Sequence, residues 1–370
     1  MVRYAWRGLL QSKSRLLISV GGVALALILI VSLDAVFTGV ERRITTYIDH
    51  SGADVIVSQA GVRTMHMGAS TLPAPLADRV RAVPGVATVT PVLYLSDVIK
   101  MGGKRSTAYV IGLPSDAAAG RPWKIAAGTA IPAAGGAVVD RDLAGRAGVG
   151  LGDPVTILGV PFRIDGLSTG TTTLASSVAI ITMDDFTRIQ GGGQTVSYLF
   201  VVIAPGESAL AVASRVADMD ADVTAQTRAQ FAGEESLLIR DMGASIISLM
   251  NGFGLLVGLA VMALTVYTAT LARRAELGTL KAIGARNADL YRSVLVQAYA
   301  SVGLGLVAAV AVALALAAVV PRLSPGLELA LGTGSLLKVI GESLIIAGIS
   351  ALLPIRQIAG LDPAMVYRRK

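Results

Sequence analysis

Cysteine is absent from this sequence, and charged and aromatic residues are scarce. Of its 370 residues, 15% are charged and 5% are aromatic, whereas 53% are hydrophobic. The lack of cysteine excludes disulfide bonds, thiolate metal sites and cysteine nucleophiles. A soluble globular protein usually carries about a quarter charged residues, so the low charged fraction indicates a membrane protein.

Sequence patterns of catalytic sites are missing as well. A P-loop needs G-x-x-x-x-G-K-[ST], and the nearest segment, 101–106, lacks the first glycine and has arginine after its lysine. His50 and His66 do not have the spacing of a metal-binding helix, and Asp184 and Asp185 resemble the start of a helix more than a catalytic dyad. We therefore expect neither enzymatic activity nor a bound cofactor or metal in this chain.

Four long apolar runs, by contrast, are present. Each is long enough to cross a hydrocarbon core of about 30 Å as a helix. The first is too long for a signal peptide, and no small-residue cleavage site follows it. The predicted transmembrane helices, TM1 to TM4, cover residues 16–37, 244–272, 293–320 and 336–355.

Two of these runs contain residues that need a partner. Lys338 and Glu342 lie one helical turn apart in TM4 and are expected to form a membrane-embedded ion pair; alternatively, Glu342 is a functional carboxylate. In TM2, Gly254 and Gly258 have the small-xxx-small spacing that lets helices approach closely. They predict a helix-packing face, either within one subunit or across a dimer.

The distribution of basic residues indicates the orientation of the chain. Lysine and arginine are concentrated at the N-terminus, in the loop 273–292 and in the tail 356–370, which all fall on one side of a four-span topology. Basic loops stay in the cytoplasm, so both termini are expected there. Residues 38–240 and a short loop, 321–335, then lie outside. The net charge of +7 is explained without nucleic acid.

The segment 38–240 is long enough for one ordinary domain or two small lobes, and its pattern is mixed α+β. Its polar end, 222–243, predicts a stalk helix that continues into TM2. Short β-branched runs bounded by glycine and proline predict strands at 53–59, 86–101, 107–112, 136–140, 154–158, 162–167, 177–182 and 198–204. Helices are predicted at 74–83, 140–147, 184–190 and 207–219.

The loop between TM2 and TM3 reads Arg-Arg-Ala-Glu-Leu-Gly-Thr-Leu-Lys-Ala-Ile-Gly-Ala at 273–285. This pattern predicts a short amphipathic helix in which Leu277, Leu280 and Ile283 form one apolar stripe and Gly284 ends the helix. Such a helix can dock into a groove on a partner protein, or it can lie against anionic lipid headgroups. The residues themselves leave both interpretations open.

This loop resembles the signature of the FtsX-like, or MacB-type, ABC permeases. The resemblance extends over essentially the whole chain, and further similar regions follow in the family's order at 6–16, 82–86, 140–167 and 361–368. Two departures from the signature, Ala275 and the Thr-Leu-Lys stretch at 279–281, leave the choice of partner open.

The resemblance implies a fold and a set of functional residues. The expected fold has four transmembrane helices and a MacB-type periplasmic core domain between the first and second. An amphipathic helix at 1–15 leads into TM1, and 356–370 forms a cytoplasmic tail. The loop helix is the coupling helix that contacts the ATPase. Its residues are Arg273, Arg274, Glu276, Leu277, Gly278, Leu280, Lys281 and Gly284.

The resemblance also implies partners and an activity. The chain would be the permease subunit of an ABC transporter in the cell membrane, paired with a second permease copy or a paralogue. A separate ATPase dimer would bind ATP and Mg²⁺, and an outer adaptor protein could join them. Transmitted motion would export or extract a hydrophobic, lipid-like or peptide cargo. The alternative is a non-transporting FtsX-like regulator that activates a cell-wall hydrolase or a sensor partner.

Overall fold

The computed structural model describes residues 13–65, 69–171, 177–272, 274–323 and 329–359. The described residues form two compact units. The membrane unit contains residues up to 39 together with those from 243 onward, and the outer domain contains residues 40–242.

Nine helices and twelve strands are formed by the described residues. In chain order they are α1 (Lys13–Asp49), β1 (Val55–Gln59), β2 (Leu72–Pro73), α2 (Leu76–Arg81), β3 (Val86–Met101), β4 (Lys104–Leu113), β5 (Ile125–Gly128), β6 (Gly136–Asp140), α3 (Arg141–Ala147), β7 (Pro154–Ile157), β8 (Val160–Ser168), β9 (Ser177–Thr182), α4 (Met183–Ile189), β10 (Thr195–Val196), β11 (Tyr198–Ile203), α5 (Ala209–Met219), β12 (Val223–Thr227), α6 (Arg228–Ala272), α7 (Arg274–Ala282), α8 (Asn287–Leu323) and α9 (Thr333–Ala359).

Four of the helices, α1, α6, α8 and α9, are long and apolar enough to cross a membrane. A helix satisfies its backbone hydrogen bonds internally, which is why charge-free runs of this length adopt it in lipid. The expectation of four transmembrane helices is confirmed. All four helices extend beyond the predicted spans: α1 continues to Asp49, α6 begins at Arg228, α8 begins at Asn287, and α9 extends from Thr333 to Ala359. Residues 1–12 of the predicted helix 1–15 lie outside the described residues.

The membrane unit has one apolar core to which all four long helices contribute. Leu27 and Ile30 of α1 are 1% exposed, and Met262 of α6 is fully buried. Small residues let the helices approach α1 closely, because a side chain at Gly305 of α8 would collide with Val23. Packing in lipid depends on such close contacts between backbones, since apolar burial gives no advantage there.

Part of the outer domain is a closed barrel. Its strands follow the order β3–β4–β9–β6–β8–β7, and β7 pairs with both β8 and β3, which closes the ring. Two of the strand pairs in the ring, β4 with β9 and β6 with β8, are parallel, and the other pairs are antiparallel. The interior is filled by apolar side chains such as Ile99, Val110, Ala179 and Phe162, and α3 and α4 contribute to the same core.

A second part of the outer domain is an antiparallel sheet in the order β12–β1–β11–β3. The 16-residue strand β3 belongs to both the sheet and the barrel. Along β1 the side chains alternate between faces. Val55 and Val57 pack with α2 and α5, whereas Ile56 packs with the end of α1 and the start of α6. The mixed α+β architecture expected for this domain is confirmed.

The prediction of a helix from residue 222 is wrong for its first part. Residues 223–227 form β12, which pairs with β1 from Val55↔Thr227 to Gln59↔Val223. Valine and threonine favour strands, and the edge of β1 offers unpaired backbone groups. Helix α6 then begins with a capping box: Thr227 Oγ1 accepts the Gln230 N–H at 3.2 Å, and Gln230 Oε1 accepts the Thr227 N–H at 3.0 Å.

Candidate functional site

The candidate docking helix, α7, lies between two long membrane helices. It follows α6 after Arg273 and precedes α8, which begins at Asn287. Alanine, leucine, glutamate and lysine favour helix here, and Glu276 in the first turn and Lys281 in the last both suit the helix dipole. Of the residues assigned to the coupling helix, Arg273 and the side chains of Arg274 and Leu277 lie outside the described part of the structure.

The end of α7 is fixed by a Schellman motif. Gly284 has a φ of +102°, a conformation that favours glycine. Its N–H donates to the Lys281 carbonyl at 3.1 Å, and the Ala285 N–H donates to the Leu280 carbonyl at 3.0 Å. No atom of the described residues lies within 4 Å of where a Gly284 side chain would begin, so the constraint there is conformational and not steric. The side chains of Leu280 and Ala285 both pack against the core of the membrane unit.

The side chains of α7 divide between two environments. Gly278 is buried and Leu280 is half-buried, whereas Glu276 is exposed and Ile283 is 79% exposed. Within the predicted stripe of Leu277, Leu280 and Ile283, the two residues whose side chains are described therefore differ in exposure. Leu280 packs against the core of the membrane unit, whereas Ile283, which follows the last residue of α7, is exposed. Leu280 thus anchors α7 to the bundle, while the Glu276 carboxylate and the Ile283 side chain are exposed.

The two glycines of α6 pack against helices of the same chain. A Cβ at Gly254 would lie 2.7 Å from Ile30 Cγ1 of α1. A Cβ at Gly258 would lie 3.2 Å from Ile346 Cδ1 of α9 and 3.5 Å from Ala26 Cβ of α1. Of the two arrangements that the spacing allows, these contacts correspond to packing within one subunit.

Lys338 has a different partner from the one that its spacing suggests. Its Nζ lies 3.5 Å from Asp34 Oδ1 of α1, and no bond joins it to Glu342 among the described residues. Asp34 Oδ2 and Glu342 Oε2 are both buried and, within the same residues, have no hydrogen-bond partner. The predicted Lys338–Glu342 pair is thus corrected to a pair between α1 and α9. The available signal was that Asp34 is the single charge in the first apolar run.

The outer domain offers little that resembles a catalytic or metal site. His50 stacks on Trp123 with ring centroids 4.7 Å apart, and its Nδ1 lies 2.9 Å from the Thr46 carbonyl, so its contacts are structural. His66 lies outside the described residues. Within the part of the chain that the structure describes, no group of three His, Cys, Asp or Glu side chains could hold a metal ion.

Two family models match the chain, and together they cover most of it. The MacB-like periplasmic core domain matches residues 16–219, and the FtsX-like permease C-terminal domain matches residues 248–363. The first match alone covers more than half of the chain. The second includes α7, α8 and α9.

Similar proteins are found among curated sequences and solved structures. The chain is 24% identical to a macrolide export ATP-binding/permease protein MacB of Shewanella oneidensis, over 94% of this chain and 57% of that protein. It is also 24% identical to a MacB of Agrobacterium fabrum, over 100% of this chain and 60% of that protein. The chain thus spans less than two thirds of either relative. The periplasmic region of MacB from Actinobacillus actinomycetemcomitans covers 50% of this chain, with 94% of its own length aligned, 16% identity and a TM-score of 0.39.

Proposed function

This chain belongs to the family of FtsX/MacB-type ABC permeases, and from that premise we propose that it passes the work of a separate ATPase to its outer domain. In this proposal both termini and α7 face the cytoplasm, and the outer domain faces the other side of the membrane. The basic residues around α7 and at the chain ends support that orientation.

The observation that carries the proposal is the continuity of α6. This helix has 45 residues, which correspond to about 68 Å at 1.5 Å per residue. Phe231, near its start, is fully buried in the outer domain, and Met262, near its end, is fully buried in the membrane unit. A continuous helix couples its two ends mechanically, which a flexible linker does not. Helix α1 likewise contributes Leu27 to the membrane core and Ile48 to the outer domain.

In this proposal α7 is the element that docks with the ATPase. Leu280 and Ala285 anchor it to the membrane core, so a force on α7 is carried into the bundle. The exposed Ile283 can insert into an apolar groove on the ATPase, and Glu276 can pair with a basic side chain there. A lipid surface would also accept Ile283, but it would not stimulate ATP hydrolysis.

The proposed assembly contains two copies of this chain, or one copy and a paralogue, with two ATPase subunits that bind ATP and Mg²⁺. The relatives are named as macrolide exporters with an ATP-binding part, which favours an apolar or amphipathic cargo for this chain as well. We place a hydrophobic, lipid-like or peptide cargo at the outer face of the membrane. A non-transporting regulator would show the same ATPase coupling without any cargo.

Co-expression of the full chain with its ATPase tests this proposal. In a detergent or nanodisc preparation, Ile283→Asp should reduce co-purification and permease-stimulated ATP hydrolysis by about tenfold, which corresponds to about 1.4 kcal/mol. The matched control is Leu210→Asp, which changes an aliphatic residue of α5 that is 58% exposed. Unchanged coupling in Ile283→Asp, or failure of any ABC ATPase to associate with the unaltered chain, would contradict the proposal. Stimulation by a cargo separates export from regulation.

A further inference from the structure

One edge of strand β3 is left unpaired in the middle of its length. On one side β3 pairs with β4 without a break from Leu93 to Met101. On the other side it pairs with β11 only as far as Val92, and with β7 only from Lys100 onward. At this edge the Ser197 hydroxyl accepts the Tyr94 N–H and donates to the Tyr94 carbonyl. The unpaired part of the edge therefore begins after Tyr94. No described residue pairs with Ser96 or Val98 there.

This gap forms an open groove of about 580 Å³, which we call the edge slot. The residues that line it come from β3, from the start of β4, from β7 and its turn to β8, and from the end of α4: Leu95, Asp97, Val98, Lys100, Arg105, Thr156, Leu158, Gly159, Ile189 and Gln190. Leu95 is 41% exposed and Val98 is 39% exposed. Exposed aliphatic side chains on an unpaired edge invite pairing with another chain, and proteins usually cover or charge such edges.

The opposite wall of the edge slot contains a strained residue. Leu158 and Gly159 form the two-residue turn between β7 and β8, and Leu158 has a φ of +51°. This conformation suits asparagine or glycine and not a branched apolar residue. Asp97 of β3 accepts the Leu158 N–H at 3.0 Å, so it joins the two walls of the slot. Strained backbone that is held by a specific contact is typical of binding sites.

The charge of the slot is positive on one face. Lys100 and Arg105 lie directly opposite each other on β3 and β4, and both are exposed. Like charges in this register repel, and neither residue forms an ion pair with another described residue. The one carboxylate among the lining residues, Asp97, is already bonded to Leu158. An acidic side chain placed beside this pair would relieve the repulsion.

We propose that the edge slot binds an extended, acidic and apolar peptide segment of a partner protein by strand addition. The backbone of the peptide pairs with Ser96 and Val98. Its side chains alternate between the face of Leu95, which takes apolar residues, and the face of Lys100 and Arg105, which takes acidic ones. An anionic lipid could satisfy the charge and the aliphatic residues but not the backbone groups of the strand, so a peptide is favoured. The proposal does not depend on the ATPase.

A defined peptide tests the inference on the full chain in nanodiscs. The probe is a capped eight-residue peptide of alternating glutamate and valine, which presents one acidic and one apolar face as a strand. Its binding is measured by fluorescence polarisation, and backbone protection is measured by hydrogen exchange. We expect saturable binding and slower exchange at Ser96 and Val98. The double variant Lys100→Glu with Arg105→Glu should weaken binding by about tenfold or more, and Lys124→Glu, at an exposed position outside the slot, should not.

Changes to the probe keep the test independent of protein folding. N-methylation of alternate amides removes the donors that face β3, and it should abolish binding while the protein is unchanged. The inference is overturned if the methylated peptide binds equally well, or if no binding is seen up to about 1 mM peptide. It is also overturned if dodecyl phosphate displaces the peptide and depends on Lys100 and Arg105 in the same way, because the slot would then be a lipid site.

Discussion

Single glycines control how closely the helices of the membrane unit approach one another. A Cβ at Gly22 of α1 would lie 2.6 Å from Val261 Cγ1, and a Cβ at Gly254 of α6 would lie 2.7 Å from Ile30 Cγ1. Both distances are too short for carbon atoms to tolerate without movement. For Gly252, on the same helix as Gly254, the described part of the structure places no atom within 4 Å of the Cβ position.

These distances predict opposite results for two substitutions in α6. Gly254→Ala should destabilise the protein by about 1–3 kcal/mol, because the methyl group overpacks the contact with Ile30. Gly252→Ala meets no neighbour and should leave stability unchanged or improve it, since alanine favours helix. Both changes in stability are measured by thermal unfolding of the full chain in detergent, monitored by size-exclusion chromatography. Equal effects of the two substitutions would contradict the packing described for Gly254.

Asp185 is a buried carboxylate whose ionisation affects the stability of the barrel. Burial alone raises the pKa of this carboxyl, but three donors outweigh it and bring the pKa below its ordinary value of 3.8. They are the Gly135 N–H at 2.8 Å, the Thr182 hydroxyl at 2.8 Å and the Arg188 guanidinium at 2.7 Å. Thr182 is the N-cap of α4, so Asp185 ties this helix to the loop before β6.

A lowered pKa in the folded state predicts how stability depends on pH. The ionised carboxylate stabilises the fold at pH values above its unfolded pKa, and this contribution is lost as the pH falls through the lower, folded value. Asp185→Asn should destabilise the outer domain by about 1–3 kcal/mol at neutral pH and reduce the loss of stability below about pH 4. Asp184→Asn, at an exposed neighbour, is the control. Urea unfolding at several pH values measures the difference, and an unaltered profile in Asp185→Asn would refute this role.

At the scale of elements, the start of α6 depends on its capping box. The reciprocal bonds between Thr227 and Gln230 separate strand β12 from the helix. Thr227→Ala should cost about 1 kcal/mol and speed hydrogen exchange in the first turn of α6. Thr227→Ser retains the hydroxyl and should behave like the unaltered chain. If the two variants show the same hydrogen-exchange rates in the first turn of α6, the capping box does not fix the start of this helix.

The continuity of α6 leads to a second prediction at this scale. Leu249 is 61% exposed and lies inside the helix. Leu249→Pro removes a backbone donor and kinks the helix, whereas Leu249→Ala keeps it. With ATPase bound, we expect Leu249→Pro to abolish ATP-dependent changes in hydrogen exchange of the outer domain, and Leu249→Ala to retain them. Retained changes in Leu249→Pro would show that α6 is not the transmitting element.

At the scale of the whole molecule, the features that depend on local sequence were predictable. Long charge-free runs identify the four membrane helices, and Gly284 follows a helix-forming stretch and ends α7. Features that depend on distant partners were not. Lys338 is one turn from Glu342 in sequence, but its ionic partner, Asp34, is 304 residues away. The sequence of residues 223–227 predicts a helix, because the edge of β1 with which they pair cannot be recognised from their own sequence.

The same limit applies to the two proposed binding surfaces. The amphipathic pattern of 274–283 indicates a docking helix. That Leu280 packs against the membrane core and Ile283 is exposed depends on the packing of the bundle, which this pattern does not show. The edge slot leaves no trace in the sequence of β3. It exists because β11 and β7 each pair with a different part of one strand.

The central claim is that ATP use by a partner moves the outer domain through α6, and one measurement tests it most directly. The chain has no cysteine, so Lys124→Cys accepts a single spin label in each copy of the assembled complex. Electron–electron double resonance then gives the distance between the two outer domains with and without ATP and vanadate. We predict that ATP shifts the distance distribution and that Ile283→Asp abolishes the shift. An unchanged distribution in a complex that hydrolyses ATP would contradict the account.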